Sequence, residues 1–224
     1  MTGSSGDRRS CPGLISQFVG RWVVENLGHQ SECMDIRKKS ITLVLGGARS
    51  GKSRYAQQLA SGWDKVTFIA TAQPSDDEMR ARIERHRQER PASWPTVEVQ
   101  VDLDLAVGRH SAASEVLLID CLALYTANMM ALEHNNEERI QERVDRFCQA
   151  LRSAESSVVL VSNEVGSGVH PSHPSGRFFQ DLLGRINQQV AQVADNVLLM
   201  VAGIPMIVKG QVTTTGIPYK AMRS

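Results

Sequence analysis

Residues 45–56 read LGGARSGKSRYA, and this stretch decides the fold. It follows an apolar run, Ile41–Leu45, and has the spacing G-x-x-x-x-G-K-[ST] from Gly46 to Ser53. Glycines are needed because backbone N–H groups surround phosphate oxygens only where no side chain blocks the approach. The helix that follows offers its positive dipole end to the anion. Lys52 would reach the β- and γ-phosphates, and the Ser53 hydroxyl suits Mg²⁺. A strand before and a helix after favour a nucleotide-binding P-loop over a chance glycine-rich turn.

The composition of the 224-residue chain fits one α/β domain with a core of its own. A net charge of +1 argues against a nucleic-acid partner. The four cysteines are far apart and form no C-x-x-C pair, which indicates reduced thiols in a cytoplasmic protein rather than disulfides or a zinc site. The longest apolar run, residues 197–208, is broken by Gly203 and Pro205 and is too short for a bilayer, so no stable membrane insertion is expected.

Strand-like and helical patterns alternate along the chain, which predicts an α/β fold with a mostly parallel sheet and helices on its faces. The predicted strands are Ile41–Leu45, Val66–Ala70, Val116–Ile119, Val158–Val161 and Val197–Val201, with residues 97–101 as a further candidate. The predicted helices are Lys52–Ser61, Asp76–Glu89, Glu137–Ala154 and Arg177–Ala194.

The two ends of the chain lack this alternation. Residues 1–33 are expected to be a disordered or non-native extension, because their start is rich in Gly, Ser and Arg. Met34 lies shortly before the first strand and is a candidate natural start. A single domain is expected over residues 34–209, followed by a flexible tail over residues 210–224.

Ligands of open α/β sheets bind beyond the carboxyl ends of the strands, so the residues there are candidates for the site. Asp120 follows the third apolar run and is expected to hold Mg²⁺ together with Ser53. Its alternative role is a helix N-cap. Glu164 follows the fourth run, where a substrate-orienting role and a solvated loop acid are equally supported.

The segment after the second strand predicts a charged helix. Ser75 and Glu78 have the spacing of a capping box, and Pro91 places the helix end near Arg90.

One face of this helix carries Met79, Ile83 and His86, at i, i+4 and i+7. A core or interface histidine is the simpler interpretation of His86. The alternative is a nucleophile that attacks a phosphorus and forms a phosphoramidate. Four arginines of the segment would suit phosphate oxygens, although such a face is often only solvated: Arg82, Arg85, Arg87 and Arg90.

Five segments together resemble the bifunctional adenosylcobinamide kinase / adenosylcobinamide-phosphate guanylyltransferase family. They are GGARSGKSRYA, FIATAQPSDDEMRARIERHRQERPASW, LLIDCLALYTAN, VVLVSNEVGSGVHP and GRFFQDLLGRINQQVAQVADNVLLMVAGIP. The resemblance runs from about residue 40 to residue 209, and the segments around D-D-E-M and N-E-V-G are far more specific than the P-loop.

The resemblance implies a RecA-like P-loop NTPase fold and a homotrimer. It also implies two reactions: phosphorylation of adenosylcobinamide with ATP or GTP, then transfer of GMP from GTP through a GMP-histidine intermediate. The product is adenosylcobinamide-GDP. The guanylylated histidine of the family matches His86, so the resemblance makes the nucleophile the preferred interpretation, with Lys52 as the second catalytic residue.

Further site residues follow from the resemblance alone. The implied nucleotide-binding residues are Gly46, Gly47, Ala48, Arg49, Ser50, Gly51, Lys52, Ser53, Ala70, Thr71, Ala72, Arg87, Gln88, Glu89, Arg90, Glu98 and Asp120. Two positions depart from the family pattern. Several relatives have two adjacent histidines where this chain has Arg85-His86, and many have Glu where this chain has Asp120.

Two other functions compete with the bifunctional transferase. One is a monofunctional P-loop kinase for a small alcohol, with His86 as a structural residue. The other is a switch GTPase or a nucleic-acid motor. It is disfavoured because the sequence has no N-K-x-D signature and is nearly neutral.

Overall fold

Seven strands form one sheet in the order β3-β2-β4-β5-β1-β6-β7. The computed structural model describes residues 39–88 and 90–210, and the backbone alone at Arg82. All neighbouring strands pair in parallel except β6 and β7, which are antiparallel. The strands are β1 (Ile41–Gly46), β2 (Val66–Ala70), β3 (Thr96–Glu98), β4 (Val116–Asp120), β5 (Ser157–Asn163), β6 (Asn196–Val201) and β7 (Ile204–Lys209).

Six α-helices lie in the described ranges, with a short 3₁₀ segment at Ser111–Ala113. They are α1 (Lys52–Ala60), α2 (Asp77–Gln88), α3 (Leu103–His110), α4 (Leu122–Leu132), α5 (Glu137–Ser153) and α6 (Pro174–Val193). None of them combines the length and apolarity that crossing a membrane requires.

Both faces of the sheet are covered. Successive strand residues point to opposite faces, so neighbouring residues of one strand pack in different clusters. Leu43 and Val44 are both fully buried, yet they belong to different apolar clusters. The cluster around Leu43 includes apolar side chains of α3, α4, α5 and α6. The cluster around Val44 includes Tyr55 of α1 and Trp94. The predicted mostly parallel sheet with helices on both faces is therefore confirmed.

Five of the predicted strands are present, whereas the candidate at residues 97–101 begins and ends earlier, as β3. Three elements were not predicted: α3, α4 and β7. Helix α4 is apolar on most sides, so it has no amphipathic stripe that would identify it. Strand β7 belongs to the apolar run 197–208. This run folds back at Ala202 and Gly203, which both have positive φ, and forms a hairpin.

Parallel pairing brings the ends of three strands together. Gly46 at the end of β1 pairs with Asn163 at the end of β5, and Asp120 at the end of β4 pairs with Val161. The P-loop and the residues after β4 and β5 therefore lie at one edge of the sheet. The expectations for residues 1–33 and for the tail after Gly210 concern parts of the chain outside the described residues.

Candidate active site

The P-loop begins where β1 ends, and its glycines have separate reasons. A Cβ at Gly46 would overlap Ser50 Oγ and lie 3.0 Å from the Met200 carbonyl oxygen. Gly51 has φ +89° at the N-cap of α1, a conformation that favours glycine. A Cβ at Gly47 would meet no protein atom within 4 Å. No protein contact requires glycine at position 47, whereas the close approach of a phosphate would.

Lys52 is buried and bends back over the loop, where its Nζ donates a hydrogen bond to the Gly47 carbonyl oxygen at 3.2 Å. Its charge is thus held beside the backbone that would surround a phosphate. Ser53, on the next position of α1, is half-buried and lies on the same cleft. Of the other predicted loop residues, Ser50 is buried, whereas Ala48 and Arg49 are exposed.

Strand β4 ends at Asp120 and Cys121 follows it; both residues line the cleft together with Lys52. Burial, with the negative charge of Asp120 as a second cause, raises the pKa of the Cys121 thiol to about 11. The Thr71 hydroxyl accepts a hydrogen bond from the Cys121 N–H and donates one to the Cys121 carbonyl oxygen, both at 2.8 Å. The fully buried Thr71 thus fixes the backbone next to Asp120.

Helix α2 presents His86 to the cleft. Met79, Ile83 and His86 all line it, as the helical spacing predicts. The predicted Ser75–Glu78 capping box is wrong by one residue: Asp76 is the cap, since its Oδ1 accepts a hydrogen bond from the Met79 N–H at 2.7 Å. Asp is favoured at this position because its carboxylate accepts a hydrogen bond from the N3 amide and interacts favourably with the positive end of the helix dipole. The hydrogen bond from the Met79 N–H, with a second from the Ser75 hydroxyl, lowers the pKa of Asp76.

Arg90 fixes the end of the helix that carries His86. Its Nε donates a hydrogen bond to the His86 carbonyl oxygen at 3.1 Å, and its guanidinium carbon lies 4.0 Å from the centre of the Phe68 ring. Burial lowers the pKa of Arg90, and the charge of Arg87 adds to this, whereas Asp120 and Glu98 oppose it. Arg90 therefore places a positive charge next to helix α2 and near two carboxylates at strand ends, Asp120 and Glu98.

One open cleft brings these groups together. The sequence-predicted site residues that line it are Lys52, Ser53, Ala70, Ala72, His86, Arg90 and Asp120. The cleft also has residues that were not predicted for the site, among them Phe68, Leu124 and Asn163. Asn163 follows the predicted strand Val158–Val161 by two residues, and this position is the signal in the sequence that identifies it.

Other predicted residues lie outside this lining. Thr71 is buried behind it, as described above. Arg87 and Gln88 are exposed, and the Gln88 side chain bonds to Glu84 at 3.1 Å. Glu98 is exposed at the end of β3, where it pairs with Ala70. Glu89 lies outside the described residues, and the side chain of Arg82 does too. The Glu164 carboxylate accepts a hydrogen bond from the Gly166 N–H at 2.6 Å, which holds its own loop.

The residues of the cleft fit Mg²⁺ bound together with a nucleotide. A serine hydroxyl and a carboxylate are hard oxygen ligands, and Mg²⁺ commonly takes one or two such groups plus phosphate oxygens. Within residues 39–88 and 90–210 there is no cluster of three or more His, Cys, Asp or Glu side chains that could hold a metal. Ser53 and Asp120 would supply two oxygen ligands, and phosphate oxygens and water would complete the coordination.

Comparison with known proteins gives the family. The sequence profile of the cobinamide kinase / cobinamide phosphate guanyltransferase family, CobU, matches residues 42–208. The chain belongs to this family. It is 39% identical over 178 residues to the bifunctional adenosylcobalamin biosynthesis protein CobU of Salmonella typhimurium, covering 75% of this chain and 98% of the relative. It is 40% identical over 171 residues to the bifunctional adenosylcobalamin biosynthesis protein CobP of Pseudomonas aeruginosa, covering 75% and 97%.

This match confirms the resemblance and the P-loop transferase fold that it implied. The matched region, residues 42–208, ends one residue before Lys209. Among solved structures, an ATPase of the type III secretion system of pathogenic bacteria aligns with a TM-score of 0.48 at 9% identity. The alignment covers 71% of this chain and 50% of the ATPase chain.

Proposed function

We propose that the chain phosphorylates adenosylcobinamide with ATP or GTP and then transfers GMP from GTP onto that phosphate. The product is adenosylcobinamide-GDP, and the transfer passes through a GMP-histidine intermediate on His86. Membership of the CobU family supports both reactions. The single observation that carries the proposal is that Lys52, Ser53, Asp120 and His86 line one cleft.

The P-loop side of the cleft serves the phosphates in both reactions. Lys52 neutralises negative charge that develops on the β- and γ-phosphates, and the backbone N–H groups around Gly47 hold the oxygens. Ser53 and Asp120 would hold Mg²⁺, which supplies charge neutralisation when it is bound. The proposed nucleotide contacts are the residues that the resemblance implies: Gly46, Gly47, Ala48, Arg49, Ser50, Gly51, Lys52, Ser53, Ala70, Thr71, Ala72, Arg87, Gln88, Glu89, Arg90, Glu98 and Asp120.

The helix side of the cleft serves guanylyl transfer. An unprotonated ring nitrogen of His86 attacks the α-phosphorus of GTP, a P–N bond forms, and pyrophosphate leaves with the electron pair. The phosphate of adenosylcobinamide phosphate then attacks the same phosphorus, and His86 leaves. Arg90 supports this role because it donates a hydrogen bond to the His86 carbonyl oxygen and lines the same cleft.

The alternative is a monofunctional kinase in which His86 is structural. Incubation with α-labelled GTP and Mg²⁺, followed by denaturing electrophoresis, separates the two. The bifunctional proposal expects label on the chain that is lost in acid and stable in base, as for a P–N bond. A chain that phosphorylates adenosylcobinamide but takes up no label would support the monofunctional kinase.

We further propose a cytoplasmic homotrimer with no nucleic-acid partner. The support for self-association is the outer edge of the sheet, where apolar side chains of β7 are more than half exposed: Ile204, Met206, Ile207 and Val208. Light scattering coupled to gel filtration measures the mass directly. We expect three times the chain mass for the wild type and a lower mass for Ile207→Glu.

A further inference from the structure

The side chain at the end of β5 has no role in the site described so far. Strand β5 lies between β1, which leads into the P-loop, and β4, which ends at Asp120. Its last residue, Asn163, lines the same cleft as Lys52 and His86. Asn163 therefore reaches the cleft from the strand that lies between the one leading into the P-loop and the one ending at Asp120.

The register places Asn163 farther along the strand direction than Asp120. Asp120 pairs with Val161, so Asn163 lies two residues farther along the parallel strands. Two residues of strand span about 6.5 Å. Asn163 is thus level with the start of the P-loop, at Gly46, rather than with the expected metal ligand.

Buried hydrogen bonds hold the backbone of Asn163 in place. Asn187 of α6 donates to the Asn163 carbonyl oxygen at 3.0 Å and accepts from the Ser162 hydroxyl at 2.6 Å. Ser162 and Asn187 are both buried. On the other side, the Glu164 N–H donates to the Gly46 carbonyl oxygen at 3.1 Å. These contacts use backbone and neighbouring groups, and among the described residues none engages the Asn163 carboxamide itself.

We propose that Asn163 is a catalytic residue of the kinase step, an inference that rests on the function proposed above. Its NH₂ donates to an oxygen of the γ-phosphoryl group, and its carbonyl oxygen accepts from the attacking hydroxyl. The hydroxyl oxygen bonds to the γ-phosphorus as the bond to the β,γ-bridging oxygen breaks. The nucleoside diphosphate leaves with the electron pair, and the hydroxyl proton passes to a phosphoryl oxygen and then to water. An amide suits this task because it both donates and accepts without adding charge.

The test compares Asn163→Ala and the isosteric Asn163→Asp with the wild type, using ATP, Mg²⁺ and adenosylcobinamide. We expect kcat of phosphorylation to fall about 100-fold in both variants, as for loss of one preorganised donor. The KM for ATP in Asn163→Ala should stay within about threefold, since the contact belongs to the transition state. Labelling of the chain by α-labelled GTP should change less than kcat, because that reaction occurs at the α-phosphorus.

Two further variants make the result decisive. Asn196→Ala makes the same chemical change at the start of β6, where Asn196 bonds to Thr42 at 3.3 Å, and should keep kcat. Lys52→Ala tests the P-loop itself. If Lys52→Ala is inactive while both Asn163 variants keep kcat within about threefold, the inference fails and the proposed function stands. If Lys52→Ala is active, the proposed function fails. A loss shared by Asn196→Ala, or a rise in KM alone, also overturns the inference.

Discussion

The Gly203 N–H donates a hydrogen bond to the Ser50 carbonyl oxygen at 3.0 Å, which joins the β6–β7 hairpin to the P-loop. The two segments are far apart in sequence, and Gly203 also lies close to Gly51, where a Cβ would be 3.4 Å from the Gly203 Cα. The turn of the β6–β7 hairpin thus contacts the P-loop at Ser50 and Gly51 and supports it.

The charge of Lys52 is the first feature to test. Lys52→Ala should abolish both nucleotide-dependent reactions, because its buried ammonium lies beside the loop backbone and its loss removes several kcal/mol of electrostatic stabilisation. Product formation from labelled ATP and GTP measures this. Lys65→Ala, at an exposed lysine directly before β2, is the matched control and should be fully active. Near-normal turnover of Lys52→Ala would refute the assignment of the loop.

His86 separates the two reactions. His86→Ala should still form adenosylcobinamide phosphate from ATP, because phosphoryl transfer to a hydroxyl needs no protein nucleophile. It should form no adenosylcobinamide-GDP and take up no label from α-labelled GTP. His110→Ala controls for loss of a histidine elsewhere.

Continued labelling of His86→Ala would identify another nucleophile, with His110, His134, His170 and His173 as the remaining histidines of the folded region. Loss of kinase activity in a folded His86→Ala chain would show that the helix belongs to the shared nucleotide site.

The metal side of the site predicts an order of effects. Chelation with EDTA should abolish both activities. Asp120→Asn should weaken them more than Glu164→Gln does, because Asp120 lines the cleft whereas the Glu164 carboxylate holds the Gly166 N–H. Activity measured over a range of Mg²⁺ concentrations gives the comparison. The reverse order would assign the metal to Glu164.

The environment of Cys121 predicts an unreactive thiol. Because its pKa is raised to about 11, the thiolate is scarce at pH 8.5, and alkylation by iodoacetamide should be about 100-fold slower than in the unfolded chain. Peptide mass spectrometry after timed alkylation measures the rate at this residue. Rapid labelling of the folded chain at Cys121 would contradict the prediction.

The same shift makes stability depend on pH. The unfolded thiol loses its proton near pH 9 and the folded thiol near pH 11, so the free energy of unfolding falls as pH rises through this window. The stabilisation is fully present below pH 9. Cys121→Ala should lack this part of the slope in denaturant titrations at a series of pH values.

Lys209 at the end of β7 stabilises the end of α6. Its Nζ donates to the carbonyl oxygens of Ala191, Gln192 and Ala194, at 3.0, 3.3 and 2.6 Å. Lys209→Met removes this cationic cap and should lower stability by about 1 kcal/mol, or Tm by about 2–4 °C. Lys65→Met is the matched control in the thermal melt. An equal Tm for both variants would show that the cap adds nothing.

Local patterns in the sequence were sufficient for much of the fold. The five main strands are short apolar runs, and the helices that were predicted have amphipathic or charged patterns with clear ends. Helix α4 and strand β7 could not be obtained in this way. Helix α4 is apolar on most sides and so lacks an amphipathic stripe, and the turn at Gly203 contacts the P-loop, which lies far away in the sequence.

The sequence by itself determined the phosphate-binding loop, the alternation of strands and helices, and the inward face of the helix that carries His86. These follow from neighbours within a few residues, where spacing and backbone geometry are enough. Only the tertiary structure decided which residues meet. Strand order brings Asn163 between the P-loop and Asp120, and packing places Arg90 over the Phe68 ring of β2. Such neighbours are far apart in the chain, so their contact depends on packing of the whole sheet.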